Sequence, residues 1–196
     1  TGYWNTEIIF FIRYRKERGS CLFLFLLCCG TLRSVKSIKW KEERNMEVLY
    51  KSTRGAGEAV TASQAILQGL ARDGGLFVPM EIPKLTLTMK ELSKMSYQET
   101  AYEVMKLFLT DFTEEELKHC IQGAYDEKFD TSVIAPLAKV EGAYFLELFH
   151  GATIAFKDMA LSILPYLMTT AAKKNHIKND IVILTATSGD TGKAAL

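Results

Sequence analysis

The sequence has little of several features that mark specialised classes of protein. Its 196 residues include only four cysteines and four prolines, which excludes a disulfide-stapled or proline-rich chain. There is no C-x-x-C pair, and we expect the isolated Cys120 to be a buried helix residue. The longest apolar run, Cys21 to Cys29, is far shorter than the roughly 20 residues that span a bilayer. A net charge of +1 argues against a dedicated nucleic-acid binder.

The remaining composition, 48% hydrophobic and 24% charged, is that of a globular protein, but it is not uniform along the chain. Residues 1–45 carry 9 Lys and Arg against 4 Asp and Glu, whereas residues 46–196 carry 15 against 19. Both tryptophans precede Met46, and all seven methionines lie at or after it. Two different compositions are therefore joined near Met46.

The first 45 residues allow several interpretations. A basic run at 13–18 followed by the apolar run at 21–29 has the order of a secretory signal, and Leu26-Leu27-Cys28 has a weak likeness to a lipoprotein site. A membrane-targeted protein is the corresponding alternative. We favour another reading, because Lys41-Glu42-Glu43-Arg44 is what a purine-rich ribosome-binding tract would encode. We predict that residues 1–45 are a translated upstream leader outside the fold, and that Met46 is the true start.

Residues 46–135 are predicted to form a mainly helical N-terminal domain, with its helices ending near Tyr125. Glu47–Tyr50 and Leu76–Val78 are predicted as short strands. The spacing of Ser or Thr to Glu or Gln that forms a capping box occurs four times, at Thr61, Thr88, Ser96 and Thr113. We expect the first of these helices to run as far as Asp73-Gly74-Gly75. In the third, helical spacing predicts one buried face made of Tyr97, Ala101, Val104 and Phe108.

The pattern changes after Pro136 to strand, helix, strand and helix. Tyr144–Phe149 is predicted as a strand, Phe156–Lys174 as a helix, and the apolar run Ile181–Leu184 as a strand covered on both faces. This order predicts an α/β protein, in which residues 136–196 begin a doubly wound parallel sheet. Two parallel strands have no stable core. We therefore expect the chain to be a truncated piece of a longer protein.

Two loops of this second part have residues that suit chemistry. Lys157 follows a predicted strand and starts a helix, where the helix dipole and the apolar neighbours Ile154 and Phe156 favour the uncharged amine that forms Schiff bases. Asp158 fits the same helix dipole, and His150 alone would be an ordinary turn residue. A solvated surface lysine is the plain alternative for Lys157.

The second loop, Thr187–Gly192, has hydroxyls and glycines between a strand and a helix N-terminus, which suits an anion. A tight connection with capping residues is equally compatible with it. The P-loop pattern fails here, because it requires glycine at Thr187 and serine or threonine at Ala194.

Four segments in the same order resemble the threonine synthase family. They are Tyr50 with Ser52–Gly55, Asp73–Pro79, Leu146–Asp158, and Ala186–Gly192. The resemblance covers residues 46–196 and about the N-terminal third of such an enzyme. One difference is Ala152, where the family usually has a proline that would stiffen the loop.

The resemblance implies a fold type II enzyme that holds pyridoxal 5′-phosphate on the lysine matching Lys157 and converts O-phospho-L-homoserine and water to L-threonine and phosphate. Lys157 would be the catalytic residue, with Phe156 and Asp158 beside it at the cofactor. The substrate-binding residues implied are Ser188, Gly189, Asp190, Thr191 and Gly192, and no metal is implied. Arg54 and Lys193 are candidates for the substrate phosphate on charge alone.

The resemblance further implies a cytoplasmic enzyme acting on a small molecule, with neither nucleic acid nor membrane as partner. Residues holding the cofactor phosphate and pyridine nitrogen would come after Leu196, so we expect the chain alone to be inactive. Two alternatives stay open. One is a threonine-synthase-like phospholyase or dehydratase of the same cofactor fold, and the other is a non-catalytic anion-binding module.

Overall fold

The computed structural model describes residues 9–15, 20–26 and 47–195, the first two ranges through their backbone pairing only. Strands β1 (Ile9–Arg15) and β2 (Ser20–Leu26) form an antiparallel hairpin. The prediction that residues 1–45 are a leader outside the fold stays a prediction. The tract at 41–44 on which it rests lies outside the described residues, as does Cys28 of the alternative lipoprotein reading.

The N-terminal part starts with a small antiparallel sheet. Strand β3 (Tyr50–Ser52) pairs with β4 (Phe77–Pro79), and helix α1 (Ala62–Gln68) lies between them in the chain. The strand predicted over Glu47–Tyr50 is thus displaced toward Ser52. Helix α1 ends earlier than predicted, because Gly69 adopts a positive φ of 72° and closes the last turn.

Three further helices follow, as the capping boxes predicted: α2 (Met89–Leu92), α3 (Tyr97–Phe108) and α4 (Glu114–Ala124). All four predicted capping boxes are present, with both hydrogen bonds formed in each. The predicted face of α3 is partly wrong, since Val104 is 40% exposed. Tyr102, Met105 and Leu109 pack on the core instead, together with Tyr97 and Ala101.

The second part contains strands β5 (Leu137–Val140), β6 (Ala143–Leu146) and β7 (Ile181–Ala186), and helices α5 (Asp158–Leu161), α6 (Leu164–Lys174) and α7 (Asp190–Ala194). The single helix predicted over Phe156–Lys174 is therefore interrupted at residues 162–163. Pro165 explains the break, because its ring conflicts with the carbonyl of Leu161 and it has no N–H to donate.

The strand pairings of the described residues are all antiparallel. β5 pairs with β6, and β7 pairs with β1, so these pairings include none of the parallel sheet that the α/β pattern predicted. Burial alternates along β7, with Val182 at 45% and Leu184 at 43% exposed, whereas coverage on both faces was predicted. The mixture of helices and strands is that of an α/β protein.

The core lies where α6 packs against α1 and α4. Its buried members include Leu117, Ile121 and Ile134, and the predicted burial of Cys120 in a helix is confirmed, with 0% of it exposed. Tyr50 donates its hydroxyl to the carbonyl of Phe108, and burial raises the pKa of Tyr50 to about 12. This core contacts α5, because Met159 packs against it. The Tyr125 hydroxyl donates to the carbonyl of Met159 at 2.8 Å.

Candidate active site

Lys157 stands directly before α5, as predicted, and its side chain is half-buried. Its Nζ lies 4.4 Å from the centroid of the Phe156 ring. Within the described residues, no carboxylate is within ion-pair distance of this amine. The expected apolar enclosure is not found, because Ile154 is 73% and Phe156 is 53% exposed. Lys157 is therefore an unpaired amine resting on one aromatic face.

Asp158 has a larger role than the sequence indicated. Only 3% of it is exposed, and its carboxylate accepts the backbone N–H of Thr153 at 2.8 Å and the Thr153 hydroxyl at 2.6 Å. Gly151 lies so close that a Cβ there would be 2.4 Å from the Cβ of Asp158. Asp158 thus fixes the loop before Lys157, and its charge is committed to Thr153 and not to the lysine.

The same loop contains an unusual backbone conformation. Ile154 has a φ of 60°, in the left-handed region that β-branched residues rarely adopt. Its N–H donates to the carbonyl of Gly151, and the Thr153–Asp158 bonds close the turn around it. Such conformations persist only where the surroundings enforce them, and they are concentrated at functional sites.

The second loop is organised by its first residue, Thr187, which is not among the predicted substrate-binding residues. The Thr187 hydroxyl oxygen accepts the N–H groups of Gly189 at 3.2 Å and Gly192 at 2.9 Å. A Cβ on Gly192 would come within 2.9 Å of that oxygen. Of the predicted substrate-binding residues, Ser188, Gly189 and Asp190 are exposed, Gly192 is half-buried and Thr191 is buried. The position of Thr187 at the end of the strand was the sequence feature that could have indicated its role in holding this loop.

The two loops meet through Lys193. Its Nζ donates to the carbonyl oxygen of Thr153 at 3.3 Å, across 40 residues of chain. Thr153 is thereby held from two sides, by Asp158 within its own loop and by Lys193 from α7. This hydrogen bond links the loop before Lys157 to helix α7, which follows the Thr187–Gly192 loop.

His150 lies between two carboxylates. Its Nδ1 is 2.5 Å from Asp130, its Nε2 is 3.0 Å from Glu147, and its ring stacks on Phe149. Hydrogen bonds to Glu147, which has the larger effect, and to Asp130 raise the pKa of His150. A neutral imidazole has only one N–H, so both contacts are satisfied together only by the protonated ring. His150 therefore ties the segment after α4 to the start of the Lys157 loop.

Arg54 belongs to a separate network in the N-terminal part. Its guanidinium donates from Nη1 to the carbonyl of Asp73 at 2.8 Å. The Asp73 carboxylate accepts the Ser52 hydroxyl, the Gly75 N–H and the Ala56 N–H. These hydrogen bonds, led by that from Ser52, lower the pKa of Asp73. The segments Ser52–Gly55 and Asp73–Pro79, which both carried the resemblance, thus form one structural unit.

The described residues form neither a metal-binding cluster nor a membrane-spanning helix. No group of three or more His, Cys, Asp or Glu is arranged to hold a metal ion in that part of the chain. Likewise, none of its helices is both long and apolar enough to cross a bilayer.

Comparison with known proteins identifies the family. The sequence model of the family described as threonine synthase N terminus matches residues 49–125. The threonine synthase of Saccharomyces cerevisiae is 36% identical over 168 residues, which are 78% of this chain and 32% of that protein. The Pseudomonas aeruginosa threonine synthase is 40% identical over 152 residues, 75% of this chain and 31% of the relative. The chain belongs to the threonine synthase family.

Solved structures agree with this assignment. The PLP-bound threonine synthase of Brucella melitensis matches with a TM-score of 0.64 and 34% identity, over 76% of this chain and 32% of that one. The human protein named Threonine synthase-like 1 is 41% identical over 139 residues, 68% of this chain and 18% of that protein. The chain spans about a third of the length of the threonine synthases that it matches.

Proposed function

We propose that this chain carries the cofactor lysine and the substrate-carboxylate loop of a threonine synthase, which converts O-phospho-L-homoserine and water to L-threonine and phosphate. One observation supports the proposal most directly. The Lys157 amine is free of carboxylates within the described residues, while the adjacent Asp158 is fully engaged with Thr153. An amine that is free of carboxylates is available to bind a carbonyl compound covalently.

The residues present fit pyridoxal 5′-phosphate in two respects. Lys157 supplies an unpaired amine in a rigid loop, and the exposed Phe156 supplies an aromatic face beside it. The cofactor, when bound, supplies an electron sink for carbanions of the substrate. Lys157 Nζ would be the point of attachment and the group that accepts and returns protons. Asp158 would hold the loop in place from its buried position.

The second loop would receive the substrate carboxylate. Ser188 is exposed just before α7, and its hydroxyl would donate to the carboxylate, whereas the Gly189 N–H already donates to Thr187. Because Thr191 is buried, its role in our proposal is to support the loop through its position in α7. Asp190 and Gly192 complete the turn, and Gly192 donates its N–H to Thr187.

The finer assignments form part of the same proposal. Residues 46–135 would be an N-terminal domain, which the family match at residues 49–125 supports. Residues 136–196 would begin a fold type II catalytic domain with a parallel sheet, supported by the likeness to solved threonine synthases. We place the whole protein in the cytoplasm, acting on a small molecule.

Reductive trapping tests the assignment of Lys157. The chain is incubated with pyridoxal phosphate, reduced with borohydride and digested, and modified peptides are quantified by mass spectrometry. We expect the label on Lys157 and its loss in Lys157→Ala. Lys139 is a matched control, since its Nζ also lies over an aromatic ring, 5.4 Å from that of Tyr144. Equal labelling of Lys139 and Lys157 would refute the assignment.

Product analysis separates the related activities. A chimera in which residues 46–196 replace the matching segment of the Pseudomonas aeruginosa enzyme is given O-phospho-L-homoserine. We expect threonine and phosphate. The likeness to Threonine synthase-like 1 keeps a phospholyase as second candidate, and 2-oxobutyrate as the product would identify it. Absence of trappable cofactor would favour a non-catalytic module.

A further inference from the structure

Tyr125 joins the helical core to the turn that begins at Lys157. It directly follows α4, and only 3% of it is exposed. Its ring packs edge-on against Tyr97 at a centroid distance of 4.8 Å, and its carbonyl accepts a hydrogen bond from Nε2 of Gln98 at 2.7 Å. These contacts fix the direction in which the hydroxyl points. Burial raises the pKa of Tyr125, so the hydroxyl stays protonated and able to donate.

The acceptor of this hydroxyl is a carbonyl at the break between α5 and α6. In a continuous helix, the N–H of Ile163 would donate to the carbonyl of Met159. The helix is interrupted at residues 162–163, and among the described residues Ile163 makes no such bond. The Tyr125 hydroxyl donates to Met159 instead, at 2.8 Å. Because this bond joins residues 34 apart in the chain, it ties α5 to the core.

The turn held in this way also fixes the backbone of Lys157. The Lys157 carbonyl accepts the N–H groups of Ala160 at 3.1 Å and Leu161 at 2.9 Å. Met159 lies in the chain between the lysine and these two donors. Met159 also packs on the core, but apolar contact is non-directional. The hydrogen bond from Tyr125 therefore sets the orientation of the turn, and with it the orientation of the lysine.

We propose that Tyr125 is a positioning residue for the Lys157 amine, acting through the carbonyl of Met159. This inference rests on the proposed function, in which Lys157 reacts with a carbonyl compound. The bonds from Thr153 to Asp158 shape the loop before the lysine, but they join residues only five apart. Tyr125 connects the other side of the lysine to the core. Without its hydroxyl, α5 keeps its internal bonds but moves more freely relative to the core.

Tyr125→Phe tests this, because it removes the hydroxyl and keeps the buried ring. Hydrogen exchange is measured at the Leu161 amide, which donates to the Lys157 carbonyl. We expect it to become about three to ten times faster, since one neutral hydrogen bond is lost. Reductive labelling of Lys157 by pyridoxal phosphate should slow by a similar factor. Labelling of Lys139 in the same sample is the internal reference and should not change.

Tyr50→Phe is the matched control, because it removes the same kind of bond from the same core. The Tyr50 hydroxyl donates to the carbonyl of Phe108, also at 2.8 Å, and Tyr50 packs on the core residues. Both variants should lower the midpoint of urea unfolding by a similar amount. Tyr50→Phe should leave Leu161 exchange and Lys157 labelling unchanged, which separates positioning from general stability.

Equal effects of the two variants on Lys157 labelling would overturn the proposal, because stability alone would then explain them. A Tyr125→Phe chain that failed to fold would overturn it too, since the hydroxyl would then support the whole core. Where the wild type is labelled, a response of neither or only one of the two measurements would also count against Tyr125. Failure of the proposed function looks different, because the wild type itself would then carry no label on Lys157 while Leu161 exchange still responded to Tyr125→Phe.

Discussion

Replacing Gly151 by alanine tests whether Asp158 fixes the loop before Lys157. The added Cβ would lie 2.4 Å from the Cβ of Asp158 and 2.5 Å from its Oδ2, where ordinary contacts are 3.4–4 Å. Asp158 must therefore retreat by about 1 Å. Such a shift stretches the bonds from Thr153, now 2.8 and 2.6 Å long, past useful hydrogen-bond length.

The expected loss of local stability follows from the steric overlap and from the weakened hydrogen bonds to Asp158. Overpacking of a buried site costs about 1–3 kcal/mol, and a hydrogen bond to a charged group contributes about 1.5–3 kcal/mol. Because Thr153 is only half-buried, water replaces part of what is lost. We expect the loop to lose about 2–4 kcal/mol of local stability.

Hydrogen exchange of the Thr153 amide measures this quantity, because that N–H is the donor to Asp158. A loss of 2–4 kcal/mol corresponds to exchange about 30 to 700 times faster. Gly142→Ala is the control for backbone strain alone, since Gly142 has a φ of 86° in a hairpin turn with open space around it. It adds strain without touching Asp158, so exchange at Thr153 should not change. If Gly151→Ala left the Thr153 amide as protected as before, Asp158 would not be what holds the loop.

Two further predictions concern the core and the pH response. Ile121→Ala, at a site 1% exposed, should lower the free energy of unfolding measured in urea by about 2–4 kcal/mol. Val104→Ala, at a site 40% exposed, should lower it by less than about 1 kcal/mol. Equal losses in the two variants would contradict the core described above. Glu147 and Asp130 raise the pKa of His150 in the folded protein. The stabilisation that His150 gives to the fold should therefore be complete below about pH 6.5, the pKa of an unfolded histidine. It should be lost as the pH rises through the raised pKa of the folded state. Urea unfolding between pH 5 and 9 should show this loss in the wild type, and His150→Gln should remove that component.

Local signals predicted the helices well. The capping boxes at Thr61, Thr88, Ser96 and Thr113 each start a helix where predicted, because the donor and acceptor lie three residues apart. The ends and faces were less predictable. Gly69 and Gly74 both adopt a positive φ, and α1 ends at the first of them. The face that α3 buries depends on its partner α4. The break at Pro165 could have been predicted from proline chemistry alone.

The contacts within the candidate site were not predictable from the sequence. His150 meets Asp130 across 20 residues, and Lys193 meets Thr153 across 40. Such pairs depend on how separate helices, strands and loops pack, which the spacing of residues in the sequence does not predict. The strand pairings were unpredictable for the same reason. The apolar run of β7 predicts a strand, but not that its described neighbour is antiparallel.

The two lysines beside Thr153 show why these contacts decide function. From sequence, Lys157 and Lys193 have similar positions, each near the start of a helix after a strand. In the structure, the Nζ of Lys193 donates to the Thr153 carbonyl, so this hydrogen bond must break before that amine can react. Lys157 makes no such bond within the described residues, and its Nζ lies over the Phe156 ring. Trapping should therefore label Lys157 and spare Lys193, and the reverse result would exchange their roles.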